Sequence, residues 1–284
     1  MINLPAALSV IIIIIPPHGG EPIGQPQNQL QAPTSSTPQS AAPPIDLGHS
    51  MGSNNDGDDS NASCRPSDII DLSRWKLTLP IGAQGSPKEV EPASLTSFIS
   101  EPYFSPTSDC TAVQFRAPVN GVTTKGSKNP RSELREMAPD GSPASWSSSS
   151  GTHTMVLDEA FERLPEGRPA LVGAQIHDDK DDITVFRLEG SNLYLTDGDN
   201  PHYKLITDSY QLGTRYQGAF EVSNNTVKAY YNGQLVASLP KTFSNAYFKA
   251  GAYTQANCSN ASSCDQNNYG ETAIYGIKLS HENQ

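Results

Sequence analysis

No part of this 284-residue chain keeps a helical spacing of apolar residues for a dozen positions. What recurs is a two-residue alternation over short runs, broken by Gly, Pro, Asn, Asp and Ser. Successive side chains of a strand point to opposite faces, so this pattern describes strands with one face in a core and one face out. Trp75, Leu77 and Leu79 alternate with polar residues up to Pro80, and Val113, Phe115 and Ala117 do the same. Further strands are expected over 152–161, 171–177, 184–188, 192–196, 216–222, 227–231, 234–239, 247–255 and 272–279. Asn232-Gly233, between two of these, is the strongest hairpin signal, because the favoured two-residue turn needs positive φ at both positions. Only 67–72 and 93–99 suggest a helical turn or two, and 81–109 reads as a long surface connection. The set describes an all-β sandwich or barrel, and the lack of an internal repeat argues against a propeller or solenoid.

The strand signals are confined to the later part of the chain. Residues 1–63 contain no Lys or Arg and are rich in Pro, Ser, Gln and Asn. Within them, 1–20 hold an apolar run, Leu4 to Ile15, too short to span a membrane. It resembles the apolar region of a secretory signal without the usual leading positive charge. Residues 21–63 read as a low-complexity, disordered linker, since they carry too little apolar surface to offset ordering entropy. Residues 64–284 remain as one folded domain, large enough for a substantial core.

That domain holds all four cysteines. Cys258 and Cys264 bracket a short polar loop and suit a local disulfide; Cys64 and Cys110 would then pair, although four cysteines leave other connectivities open. Disulfides and a signal-like start together indicate a secreted, extracellular protein. There is no Cys-x-x-Cys pair and His is sparse near the cysteines, so no metal site is expected. A net charge of −11 argues against nucleic acid as a partner. It leaves room for an anionic ligand gripped by a local cationic cleft. No membrane partner is expected, and the domain is expected to be a monomer.

Three of the strand stretches divide their side chains in the same way. In Arg-Ser-Glu-Leu-Arg, Arg131, Glu133 and Arg135 share one face, and Ser132 and Leu134 the other. In the 171–177 stretch, Val172, Ala174 and Ile176 are expected inward and Gly173, Gln175 and His177 outward. In the 247–255 stretch, Phe248, Ala250 and Ala252 are expected inward. Tyr247, Lys249, Gly251, Tyr253 and Gln255 then face out, with Gly251 leaving space for a ligand. Arg131 and Gln175 can hold and neutralise a carboxylate. His177 can act as a base near neutral pH, and Tyr253 can donate a proton, or accept one if nearby cations lower its pKa. A carboxylate grip beside a base describes β-elimination from a uronate, because neutralising the carboxylate acidifies the neighbouring C–H. No Gly-x-Ser-x-Gly elbow is present to suggest a serine nucleophile.

Arg-Ser-Glu-Leu-Arg, Gln-Ile-His and Tyr-Phe-Lys-Ala-Gly-x-Tyr, in this order, resemble the three signature motifs of polysaccharide lyase family 7, the alginate lyases. The resemblance runs from about residue 64 to the end. It implies a β-jelly roll, a concanavalin-like sandwich of two antiparallel sheets, with a concave substrate cleft for alginate. It implies that Arg131 and Gln175 neutralise the uronate carboxylate. His177 would share that role or act as base, and Tyr253 would be the acid. Arg135, Lys249, Tyr247 and Gln255 would bind flanking uronates. Lys128, from the basic loop before the first motif, joins this substrate-binding set, as does Glu133, which is expected to orient the two arginines. No metal or organic cofactor is implied. Endolytic cleavage is expected, and Ile176 resembles the form found in guluronate-leaning members.

Two other readings compete. A non-catalytic module binding acidic polysaccharide could use the same cationic face, but has no evident need of His177 and Tyr253 together. A glycoside hydrolase would need two suitably spaced carboxylates. Glu133 and Glu136 fall on opposite strand faces and do not supply them.

Overall fold

The structure is a computed structural model that describes residues 64–282. The signal-like segment (1–20) and the linker (21–63) lie outside the described residues. In chain order the elements are α1 (Pro66–Ile69), β1 (Trp75–Ala83), β2 (Ser86–Val90), α2 (Pro92–Leu95), β3 (Phe104–Pro106), β4 (Val113–Pro118) and β5 (Arg131–Glu136). They continue with β6 (Thr152–Arg163), β7 (Ala170–His177), β8 (Asp182–Glu189), β9 (Asn192–Asp197), β10 (Asn200–Thr207), β11 (Tyr216–Ser223), β12 (Thr226–Tyr231), β13 (Gln234–Pro240), β14 (Tyr247–Thr254) and β15 (Tyr269–Glu282). The strands form two antiparallel sheets. An eight-stranded sheet runs β10-β9-β8-β7-β14-β5-β1-β2, and a seven-stranded sheet runs β13-β12-β11-β6-β15-β4-β3. The fold is the all-β jelly-roll sandwich that the alternation and the motifs imply.

The core lies between the sheets. Leu77, Leu134, Ile176, Phe248 and Ala250 enter from the larger sheet; Phe115, Leu157, Phe161, Phe220 and Ile274 enter from the other, all essentially without solvent contact. Each large apolar side chain buried this way contributes about 1.5–3 kcal/mol relative to exposure. The Asn232-Gly233 turn closes the β12–β13 hairpin with φ of 50° and 77° and pairs Tyr231 with Gln234. Both expected disulfides are closed, Cys64–Cys110 and Cys258–Cys264. The first fastens the domain's start to the turn before β4. No helix among the described residues is long and apolar enough to cross a membrane.

Several local expectations are corrected. The 81–109 stretch is not a surface connection: it holds β2, α2 and β3, and buries Val90, Leu95 and Phe104. β10 was not expected, since most of its residues are exposed and leave no burial pattern to read. β7 does not alternate throughout. Its register with β8 shifts between Val172 and Ala174, a bulge at Gly173. The extra residue resets the facing. Leu171 therefore joins Ala174 and Ile176 in the core cluster, which does not include Val172. Gly173 faces inward: a Cβ there would lie 2.5 Å from Glu159 Oε1 on β6, in the opposite sheet.

Candidate active site

Strand register assembles the site. On one side of β14, Lys249 pairs with Arg135, Gly251 with Glu133 and Tyr253 with Arg131. On its other side, Tyr247 pairs with His177 and Lys249 with Gln175. Directly opposed residues in an antiparallel pair project from the same face with Cβ atoms about 5 Å apart. Three strands that are distant in sequence thus present one continuous polar surface on the outer face of the eight-stranded sheet. Arg131, Arg135, Gln175, His177, Tyr247, Lys249 and Tyr253 all line a single cavity of about 330 Å³.

Glu133 lies beneath this cavity, 1 % exposed. It accepts from Arg131 Nη1 at 3.1 Å and is also bonded by Lys249 Nζ and Gln175 Nε2. Burial pushes its carboxyl up, but Lys249 and Arg131 outweigh that and hold it below the usual range, so it is ionised. Glu133 is therefore an anchor, not a substrate contact, and it orients Arg131 and Lys249 in place of the expected arginine pair. Arg135 is held separately: Nη1 donates to the Glu136 carbonyl at 2.9 Å, and its guanidinium lies 3.9 Å from the Tyr247 ring centroid. Burial, aided by Arg131, pulls the Lys249 ammonium down to about 8 against the pull of Glu133.

The two candidate proton-transfer groups are held by donors and acceptors that fix their states. His177 Nδ1 lies 2.6 Å from the Asp178 carbonyl oxygen. A carbonyl only accepts, so Nδ1 carries the proton and Nε2 presents a lone pair. Burial, then Lys249, lowers the imidazole pKa, which keeps His177 neutral at neutral pH. Its ring stacks on Tyr247 with centroids 5.4 Å apart. Tyr253 Oη lies 3.0 Å from Ser127 Oγ. Ser127 Oγ itself donates to the Asn129 carbonyl at 3.1 Å, so Tyr253 is the donor of the pair. Arg131 stacks over the Tyr253 ring at 3.9 Å.

Some expected residues fall elsewhere. Gln255 is not part of the cavity lining; its Oε1 accepts from Arg187 Nη1 at 3.0 Å. Lys128 is exposed and also outside the lining, whereas its neighbour Ser127 is inside. Gly251 gives no space to a ligand. Its φ is +133°, and a Cβ would sit 2.6 Å from the Ser132 carbonyl oxygen and 3.0 Å from Phe115 Cδ1. Glycine is there so that β14 and β5 can close over the core. Thr78, Thr124, Ser127, Lys180, Asp181 and Asp182 also line the cavity and were not singled out from sequence. Two stretches gave a signal: the basic Gly-containing loop that carries Thr124 and Ser127, and the run from Asp178 to Asp182, which reads from sequence as an acidic turn and no more. Among the described residues, no group of three or more His, Cys, Asp or Glu is placed to hold a metal ion.

The family model described as Alginate lyase matches residues 70–281. No curated protein sequence matches the chain. Among solved structures, the chain is similar to the alginate lyase from Corynebacterium sp., at 55 % identity and a TM-score of 0.76, covering 78 % of this chain and 100 % of that one. It is similar to the alginate lyase AlgAT5 from polysaccharide lyase family 7 at 43 % identity and a TM-score of 0.73, covering 78 % and 100 %. A variant of the family 7 alginate lyase A1-II′, with a histidine changed to asparagine and a tyrosine to phenylalanine, was solved in complex with substrate (GGMG). It is 28 % identical with a TM-score of 0.65, covering 78 % of this chain and 97 % of that one.

Proposed function

This chain belongs to polysaccharide lyase family 7, the alginate lyases, and on that premise we propose that it cleaves alginate by β-elimination with Arg131, Gln175, His177 and Tyr253 as the reacting set. The observation that carries this reading is that these four side chains, from β5, β7 and β14, line one cavity above a buried anionic anchor. Arg131 and the second N–H of the Gln175 amide grip the uronate carboxylate. Spreading its charge into these donors lets the C5–H bond release its proton. On guluronate, His177 Nε2 takes the C5 proton, and the electron pair forms the C4=C5 double bond. The C4–O4 bond breaks, and the Tyr253 hydroxyl protonates the departing oxygen. On mannuronate, where proton and leaving group are syn, the Tyr253 oxygen takes the C5 proton as its own hydroxyl proton passes to the departing O4. Arg135, Tyr247 and Lys249 hold flanking uronates.

The A1-II′ substrate complex, obtained with a histidine and a tyrosine replaced, supports these two roles by analogy. A cleft that lies across an open sheet face suits internal cleavage, hence endolytic action. Ile176, wholly buried behind the site, can influence a guluronate lean only through backbone position. The two closed disulfides support secretion of the domain. Deleting 1–60 is expected to leave activity unchanged, and a large loss would place that segment in the cleft.

Tyr253→Phe tests the acid role. A general acid contributes about 10²–10⁴-fold, so kcat should fall by that order while the fold persists. Retention of most turnover would remove Tyr253 from the mechanism. His177→Ala should reduce polyguluronate cleavage at least as much as polymannuronate cleavage; loss on polymannuronate alone would overturn the anti-elimination assignment.

A further inference from the structure

One wall of the cleft has the wrong sign for its substrate. The floor is cationic, with Arg131, Arg135 and Lys249, yet Asp181 and Asp182 line the same cavity. Asp182, the first residue of β8, pairs across the ladder with His177. It therefore stands beside the base, where a uronate carboxylate must pass. Its surroundings offer it little compensation. The β7–β8 turn supplies Asp178, Asp179 and Asp181 against Lys180 alone. Beyond β8, Asp197 is already paired with Lys241, and Asp199 adds repulsion. Across β7 stand His177, which is neutral, and Tyr247, with the Lys249 ammonium further along β14 and already bonded to Glu133.

We propose that Asp182 is a specificity-determining residue that repels uronate carboxylates at the β8 side of the cleft, so that occupancy there is weakened when it is ionised. The inference rests on the proposed alginate-cleaving site. A carboxylate is not needed to shape this wall, since an amide fills the same space. What the charge adds is a penalty on any sugar that turns its carboxylate toward β8, and this favours sugars presenting hydroxyls there. Burial, and then Asp181, push the Asp182 carboxyl up to about 6. The group is thus mostly neutral at pH 5 and mostly charged at pH 8, which gives the repulsion a switch.

Steady-state kinetics of wild type and Asp182→Asn on alginate, from pH 5 to 8, test this. At pH 8 the variant should show a KM about fivefold lower, the order expected for one charge removed ~8 Å from another in a half-solvated cleft, with kcat within about twofold. At pH 5 the two KM values should coincide, and added salt should shrink the difference at pH 8. An unchanged KM at pH 8, or a shift of equal size at both pH values, overturns the proposal. A raised KM at pH 8 also overturns it, by showing that Asp182 accepts hydrogen bonds from sugar hydroxyls. Circular dichroism separates a folding defect from a binding effect, and Asp181→Asn offers a second variant if Asp182→Asn folds poorly. Failure of wild type itself to yield unsaturated ends would sink the elimination reading and not this one.

Discussion

Two glutamates are sealed from solvent to the same degree and end in opposite charge states. Glu133, beneath the cleft, is 1 % exposed and bonded by Arg131, Lys249 and Gln175. Glu159, inside the sandwich under Gly173, is 0 % exposed; Tyr216 donates to its Oε1 at 2.5 Å, and its Oε2 has no hydrogen-bond partner. Burial alone raises a carboxyl, and at Glu159, where Asp158 adds repulsion, it rises to about 8. At Glu133 two cations reverse the effect. Burial therefore does not decide the charge of a carboxylate; its partners do. The cleft face of the eight-stranded sheet holds a fixed anion with cations aimed above it, and the core behind that sheet holds a neutral acid supplied by β6 of the other sheet. The charge above the sheet is thus kept apart from the apolar core beneath it.

The sharpest way to break the contrast is Glu133→Gln. It leaves Arg131 and Lys249 without their anion, which costs about 3–5 kcal/mol. Loosening the carboxylate clamp should lower kcat/KM by about 10²-fold, measured beside a urea melt. A variant that stays fully active would show that the anchor is dispensable. Next in size is Gly173→Ala. Its Cβ would meet the Glu159 carboxyl at 2.5–2.7 Å, and overpacking of this kind costs about 1–3 kcal/mol. Adding Glu159→Ala should return part of that loss, and a double-mutant cycle reads the coupling. Strict additivity would show that the two do not touch.

Titration separates the two glutamates by sign. Glu159 binds its proton more tightly folded than unfolded. Its contribution is full below the ordinary 4.5 and is lost as pH rises toward about 8, by up to about 1.4 kcal/mol per pH unit. Glu133 behaves in reverse: its contribution is present above 4.5 and is lost as pH falls through its lowered value. Glu159→Gln should flatten the loss between pH 5 and 8 and leave the acid limb unchanged; an unaltered profile would assign that loss to another group. The smallest effect is on binding. Lys249 loses its charge above about 8, so KM should rise in mildly alkaline solution while the fold gains slightly. A flat KM from pH 7 to 9 would show that Lys249 does not hold substrate.

The sequence reveals most of this fold wherever one strand face is buried and the other is not. Strands such as β10 and β2 escape because most of their residues are exposed, so no alternation marks them. The bulge at Gly173 is hidden because Leu171 and Val172 are both apolar, and either could have faced the core. In the site, the residue types that line the cavity are legible as alternating polar positions. Their partners are not. Ser127 reaches Tyr253 across 126 residues, and Glu133 reaches Lys249 only through the β5–β14 register. A strand's own periodicity gives its facing but not its neighbour, and these pairings depend on the neighbour.

The most direct test is digestion of block-defined alginates by wild type and Tyr253→Phe, following ultraviolet absorbance of unsaturated ends together with chain length. Wild type should gain absorbance in step with chain shortening, on polyguluronate and polymannuronate alike, and Tyr253→Phe should do neither at a comparable rate. Chain shortening without absorbance, or turnover by Tyr253→Phe close to that of wild type, would contradict elimination through this site.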